Sequence, residues 1–130
     1  MAAPLIFRLR KHADYQRVYK ASRKQFSKQM SYFFVLRTAL EIAGDPDGAE
    51  GARVGLTVGK VMGKAVDRNR IKRRMREAVR KNLASLTTPV DVVLHPRRSV
   101  IDLEFAQLER EVGTVFKTIQ KLAARMPPAA

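Results

Sequence analysis

The sequence predicts an α+β fold, an α/β sandwich of helices packed on a small sheet. Three observations carry this reading. Apolar residues recur at helical spacing in three separate stretches. Between these stretches lie short runs of strand length, rich in aromatic and β-branched residues or alternating apolar with small ones. The chain has 130 residues, 45% of them hydrophobic, which suits a single domain over 1–130 with one core.

Taken in order, residues 1–10 read as an extended arm. His12–Ser22 reads as a helix, because Tyr15, Val18, Tyr19 and Ser22 recur at helical spacing while Arg17, Lys20 and Arg23 fall on other faces. Gln25–Ala39 is β-like, with Phe34 and Leu36 on one side and Phe33, Val35 and Arg37 on the other. Gly44–Gly48 is dense in turn formers and marks a loop. Arg53–Gly59 alternates strictly. Val54, Leu56 and Val58 share one face, and Gly55, Thr57 and Gly59 line the other, where a second group could approach closely. Residues 66–86 form the strongest helical pattern, with Ile71, Met75, Ala78, Val79, Leu83 and Leu86 in one stripe and Asp67 at the positive N-terminal end. Pro89 limits that helix, and Val90–Leu94 reads as a short strand. His95–Arg98 reads as a loop. Ser99 and Asp102 resemble a capping box for a last helix to about Ala124, with Leu108, Val112, Val115, Ile119 and Leu122 inward. Residues 126–130 read as a frayed tail.

Charge points to a polyanionic partner. The formal net charge is +14 and the pI about 11, a self-repulsion that a polyanion would relieve. Residues 1–40 hold nine Lys/Arg and one acid, Asp14, and residues 51–81 hold eleven against Asp67 and Glu77. The stretch 41–50 reverses this, with Glu41, Asp45, Asp47 and Glu50 and no base. No cysteine is present, which removes disulfides, thiol nucleophiles and zinc–cysteine sites. The N-terminus has its apolar patch before its basic residues, the reverse of a secretory signal. No run approaches the ~18 apolar residues of a membrane span. A cytoplasmic protein with no membrane association is expected.

Eight of the fourteen residues in Arg68–Lys81 are basic, six of them arginine. With Ile71, Met75 and Ala78 packed inward, Asn69, Arg73, Glu77 and Arg80 face outward, and the other cations flank them. Guanidinium groups bind phosphate bidentately and stack on bases, so the segment suits structured RNA. A solvated helix face and a DNA-reading helix are the alternatives. The first fits poorly because only Glu77 opposes eight cations. The second lacks helix-turn-helix or zinc-finger spacing.

Gly55-Leu56-Thr57-Val58, Lys60, Gly63-Lys64-Ala65, Arg68-Asn69-Arg70-Ile71-Lys72-Arg73 and Arg76-Glu77 follow one another with ungapped spacing. This string resembles the central signature of the protein subunit of bacterial ribonuclease P. Weaker likeness extends from about Leu9 to Leu122 and includes Asp14-Tyr15, Val18-Tyr19 and Asp91–Leu94. The resemblance implies an α-β-β-β-α-β-α order on a four-stranded sheet. It also implies a left-handed crossover around the basic helix, against the usual preference. It implies a ribonucleoprotein endoribonuclease that removes the 5′ leader of precursor tRNA. The partners would be the catalytic RNA and precursor tRNA, with no obligate protein partner. Mg²⁺ would be bound through the RNA, and this chain would supply no catalytic or metal-binding residue. Arg68, Asn69, Arg70, Lys72, Arg73 and Arg76 match the RNA-contact motif, and Lys64 and Arg80 extend it. Tyr15, Tyr19, Phe33, Arg37 and Lys60 match a leader cleft, although core packing also fits the two tyrosines. The chain departs from the family at Val61, often a second basic residue, and at Arg37, an aromatic in some members. The acidic stretch Glu41–Gly51 matches nothing in the motif.

No protein active site is legible. Asp14, Asp67, Glu77, Asp91 and Asp102 are scattered, whereas a metal-dependent nuclease needs clustered carboxylates. His12 and His95 read as surface or loop residues, and Met62 and Met75 as core fillers. Three readings stand: RNA-binding cofactor of a ribozyme, structural RNA-binding protein, and self-sufficient nuclease.

Overall fold

The computed structural model describes residues 8–9, 11–45 and 51–126. Its elements are α1 (His12–Ala21), β1 (Gln25–Phe26), β2 (Met30–Leu36), α2 (Ala39–Ala43), β3 (Arg53–Leu56), α3 (Ala65–Asn82), β4 (Val90–Pro96) and α4 (Phe105–Arg125). The sheet runs β1-β2-β4-β3. β2 is antiparallel to β1 and β4, while β3 and β4 are parallel neighbours. The chain between them carries α3, so the basic helix is the crossover of a βαβ unit.

The period of two along the strands separates two apolar layers. Met30, Tyr32, Phe34, Val54, Val92 and Leu94 meet Ile71 and Met75 of α3 and Leu108, Val112, Phe116 and Ile119 of α4 in the main core. The opposite sheet face carries Phe33, Val35 and Val93, covered by Tyr15, Val18 and Tyr19 of α1 and by Leu9. Leu9 joins the sheet edge through its N–H, which donates to Val54 O at 3.0 Å.

Several boundaries differ from the sequence expectation. The β-like stretch Gln25–Ala39 divides into the β1–β2 hairpin and the start of α2. That helix forms because Thr38 and Glu41 build a capping box: Glu41 N–H donates to Thr38 Oγ1 at 3.0 Å, and Thr38 N–H donates to Glu41 Oε1 at 2.7 Å. β3 ends at Leu56 rather than Gly59, although Thr57 N–H still donates to Leu94 O. His95 and Pro96 are not loop residues. β4 extends through them, with Ser31 opposite His95. The Ser99–Asp102 capping box does not form. Ser99 Oγ donates to the Gln29 side chain, Arg98–Ile101 winds into a 3₁₀ turn, and α4 starts only at Phe105. The basic helix closes at Asn82 and continues as a 3₁₀ turn over Leu83–Ser85. The expected arm over 1–7 and at 10, the turn over 46–50 and the tail over 127–130 lie outside the described residues. Among the described residues, no helix is long and apolar enough to cross a membrane.

Candidate nucleic-acid interface

The inner stripe of α3 is buried at Ile71, Met75, Ala78 and Val79. This fixes what the other faces present. Asn69, Arg70, Arg73, Arg76, Arg80 and Lys81 are exposed, and Arg68 and Lys72 are half-buried. Lys64, exposed, is the residue before the first turn. The turn into the helix depends on Gly63, whose φ of 120° favours glycine. Among the described residues no acid pairs with Arg70, Lys72, Arg73 or Arg76. Arg80 differs, since its guanidinium forks onto Glu77 at 2.9 and 2.6 Å. Arg74 faces inward, where Nε donates to Val100 O at 3.1 Å and its terminal nitrogen to Leu103 O. It anchors α3 to the segment before α4.

The second feature is the cleft between α1 and the sheet. The Tyr15 hydroxyl lies 3.1 Å from Leu9 O and 3.4 Å from Leu56 O, within donating distance of both. Burial raises its pKa, more than the Leu56 hydrogen bond lowers it. The Tyr19 hydroxyl sits between Thr57 Oγ1 at 3.1 Å and His95 Nε2 at 2.9 Å. Tyr19, Phe33 and His95 form a triangle of rings, with centroids 4.9, 5.7 and 5.5 Å apart. Burial lowers the His95 pKa, and the Lys24 charge lowers it further. Lys60 is exposed in the 3₁₀ turn beyond β3. A cavity of about 120 Å³ joins this cleft to α3, lined by Arg8, Tyr15 and Gly55 on one side and Lys72 and Arg76 on the other.

Arg37 is a correction to the predicted cleft. It is only 3% exposed, and it follows β2 into a buried ion-pair network. Its guanidinium donates to Gly51 O at 2.6 Å and Asp45 Oδ2 at 2.9 Å, and lies 3.8 Å from Asp91. Burial and the Arg53 charge lower its pKa, while Asp91 and Asp45 raise it. Arg53 donates to Asp91 at 2.8 and 2.7 Å and to Asp45 at 3.1 Å, and Arg17 pairs with Asp91 and, at 2.9 Å, with Glu41. Asp14 lies 3.7 Å from Arg53. The acids that looked scattered are thus partly gathered, but around arginines. Among the described residues, no three His, Cys, Asp or Glu side chains could hold a metal ion.

Two parts of this arrangement escaped the sequence reading. The sequence reading places His95 in a loop with Pro96-Arg97-Arg98, whereas the strand over Val90–Leu94 continues through it. The counter-ion role of Glu41 and Asp45 had a signal in their clustering within a chain of such positive charge.

Comparison with known proteins adds a family. The family described as Ribonuclease P matches residues 6–120. A ribonuclease P protein component of Finegoldia magna is 34% identical over 102 residues, covering 78% of this chain and 80% of the relative. One from Chloroflexus aggregans is 39% identical over 106 residues, covering 81% and 71%. The solved Staphylococcus aureus RNase P protein superposes with a TM-score of 0.68 at 25% identity, covering 88% of this chain and 95% of that one. The Thermotoga maritima RNase P protein shares the fold, with a TM-score of 0.69 at 23% identity over 85% and 96%.

Proposed function

The chain belongs to the ribonuclease P protein family, and from that premise we propose how its surfaces divide the work. The family acts in tRNA 5′ processing as the protein component of an endoribonuclease, together with an RNA subunit. In our reading the outer face of α3 docks on that RNA. Arg68, Asn69, Arg70, Lys72, Arg73 and Arg76, with Lys64 and Arg80 at the margins, contact its phosphates and bases. The cleft of Tyr15, Tyr19 and Phe33, with Lys60 near one end, receives the unpaired 5′ leader of precursor tRNA. A tyrosine contributes roughly 1–3 kcal/mol per stacked base. Arg37 takes no part, because it is buried among carboxylates.

The single observation that carries this reading is a division among the arginines. Arg17, Arg37 and Arg53 are answered by Glu41, Asp45 and Asp91, whereas Arg70, Arg73 and Arg76 on α3 face outward with no acid against them among the described residues. The chemistry belongs to the RNA and to Mg²⁺ ions held there. The gathered carboxylates of this chain suit no resident cation, since each already faces a guanidinium. No second protein enters this scheme.

Reconstitution tests it. The purified chain, mixed with ribonuclease P RNA and precursor tRNA at low Mg²⁺, is expected to stimulate 5′ cleavage. Absence of stimulation would overturn the assignment of these surfaces, and cleavage by the chain alone would move the chemistry onto the protein.

A further inference from the structure

An exposed aromatic, Phe26, stands on the edge strand β1. Phe26 is 66% exposed in a chain whose other aromatics on the described strands are buried or half-buried. Its orientation follows from register. Residues directly opposite on antiparallel strands project from the same face. Phe26 pairs with Ser31, and Ser31 pairs with His95. Ser31 lies two residues from Phe33, so all four share the face that α1 covers in part. Phe26 therefore stands in the same cross-strand row as His95, two strands away, a distance of roughly 10 Å at ordinary strand spacing. The helix does not reach it. α1 ends at Ala21 and packs on β2 and β4.

Along the chain the charges beside Phe26 are cationic, and the Glu111 carboxylate of α4 that reaches this hairpin is engaged by Ser27 Oγ and by Gln29 N–H. Lys24 Nζ lies 5.7 Å from the ring centroid, within cation–π range. The same Lys24 charge acts on His95, so this ammonium lies close enough to influence both the aromatic triangle and the edge. Lys28, in the turn of the hairpin, is also exposed. From Lys20 to Lys28 the chain has four cations and no acid. An exposed π-face beside exposed ammonium groups is what a single nucleic acid strand uses without regard to base identity. A neutral or basic protein surface would leave these lysines without counter-charge, and duplex RNA offers no free base face to the ring.

We propose that Phe26 and Lys24 form a further stacking subsite for single-stranded RNA, holding the part of the leader that has passed beyond Tyr19, Phe33 and His95. This rests on the reading of the cleft as the leader channel. The ring takes one unpaired base of any identity, and Lys24 takes an adjoining phosphate.

The test measures affinity of the reconstituted holoenzyme for precursor tRNAs whose leaders are lengthened one nucleotide at a time. Unmodified protein should gain affinity as the leader reaches the edge strand. Phe26→Ala should remove that last gain, about fivefold or more at the low end of base–aromatic stacking. It should leave short-leader substrate and mature tRNA unchanged. Phe26→Trp should restore the gain and Phe26→Leu should not. Lys24→Gln should lower the salt slope for the long leader by about one. Equal losses of Phe26→Ala across all substrates, or none at any length, would overturn the subsite. Tyr19→Ala run in parallel separates the two claims. If it impairs leader binding while Phe26→Ala does not, the cleft stands and the extension falls. If neither responds to the leader, the channel itself is wrong.

Discussion

A Cβ at residue 55 would lie 2.4 Å from the Tyr15 hydroxyl oxygen, so the position of one tyrosine depends on one missing methyl group. Gly55→Ala must push Tyr15 away from Leu9 O and Leu56 O. The expected cost is about 1–3 kcal/mol, the range for an overpacked site, read as a lower urea midpoint together with weaker leader binding. An unchanged midpoint would mean that Tyr15 moves freely. His95 gives a second prediction. Its folded pKa is depressed by burial and by Lys24 below the ordinary 6.5. The unfolded chain therefore binds the proton more readily, and stability falls as pH drops below about 6.5 toward the depressed value. His95→Gln should flatten that part of the stability profile, and an unaltered profile would assign the slope to other groups. The glycine-lined face of β3 was legible from strict alternation over 53–59. What fills it was not, because Tyr15 comes from a helix some forty residues earlier and only the fold brings the two together.

Within α3, adjacent arginines have opposite duties because successive residues are about 100° apart around a helix. Arg73 faces out and Arg74 holds the carbonyls of Val100 and Leu103. Arg73→Ala should lower the salt slope of RNA binding by about one with little change in stability. Arg74→Ala should do the reverse, losing about 1.5–3 kcal/mol of stability, in the range of hydrogen bonds made by a charged group, with an unchanged slope. Chemical denaturation and salt-dependent binding of both variants decide this, and identical behaviour of the two would refute the division. The stripe of α3 was readable because four apolar residues at helical spacing have no other consistent arrangement. Capping was less readable. Thr38-x-x-Glu41 forms its box and Ser99-x-x-Asp102 does not, since the hydroxyl of Ser99 is engaged by Gln29 and the chain leaving β4 first winds into a 3₁₀ turn.

Across the whole molecule, the +14 charge is partitioned by the fold. One end of the sheet keeps Arg17, Arg37 and Arg53 among acids, while on α3 Arg70, Arg73 and Arg76 face outward with no acid against them among the described residues. Sequence showed the surplus and the reversal of sign over 41–50. It could not show this partition, because the acids come from α1, the region after β2 and the start of β4. Asp91 is the pivot. It is fully buried in a strand that, His95 apart, is otherwise apolar, and it faces three guanidinium groups. Removing a partner from a buried network costs about 3–5 kcal/mol, because the remaining charges stay desolvated. Asp91→Ala should therefore lower the urea midpoint by an amount of that order. The arginines it releases are enclosed by the sheet end rather than directed along α3, so the salt slope of RNA binding by the folded fraction should stay the same. A loss below about 1 kcal/mol would mean that water already solvates these arginines. A steeper salt slope would mean that they reach the RNA once freed, and the separation between structural and binding charge would then be a matter of pairing alone, with geometry playing no part.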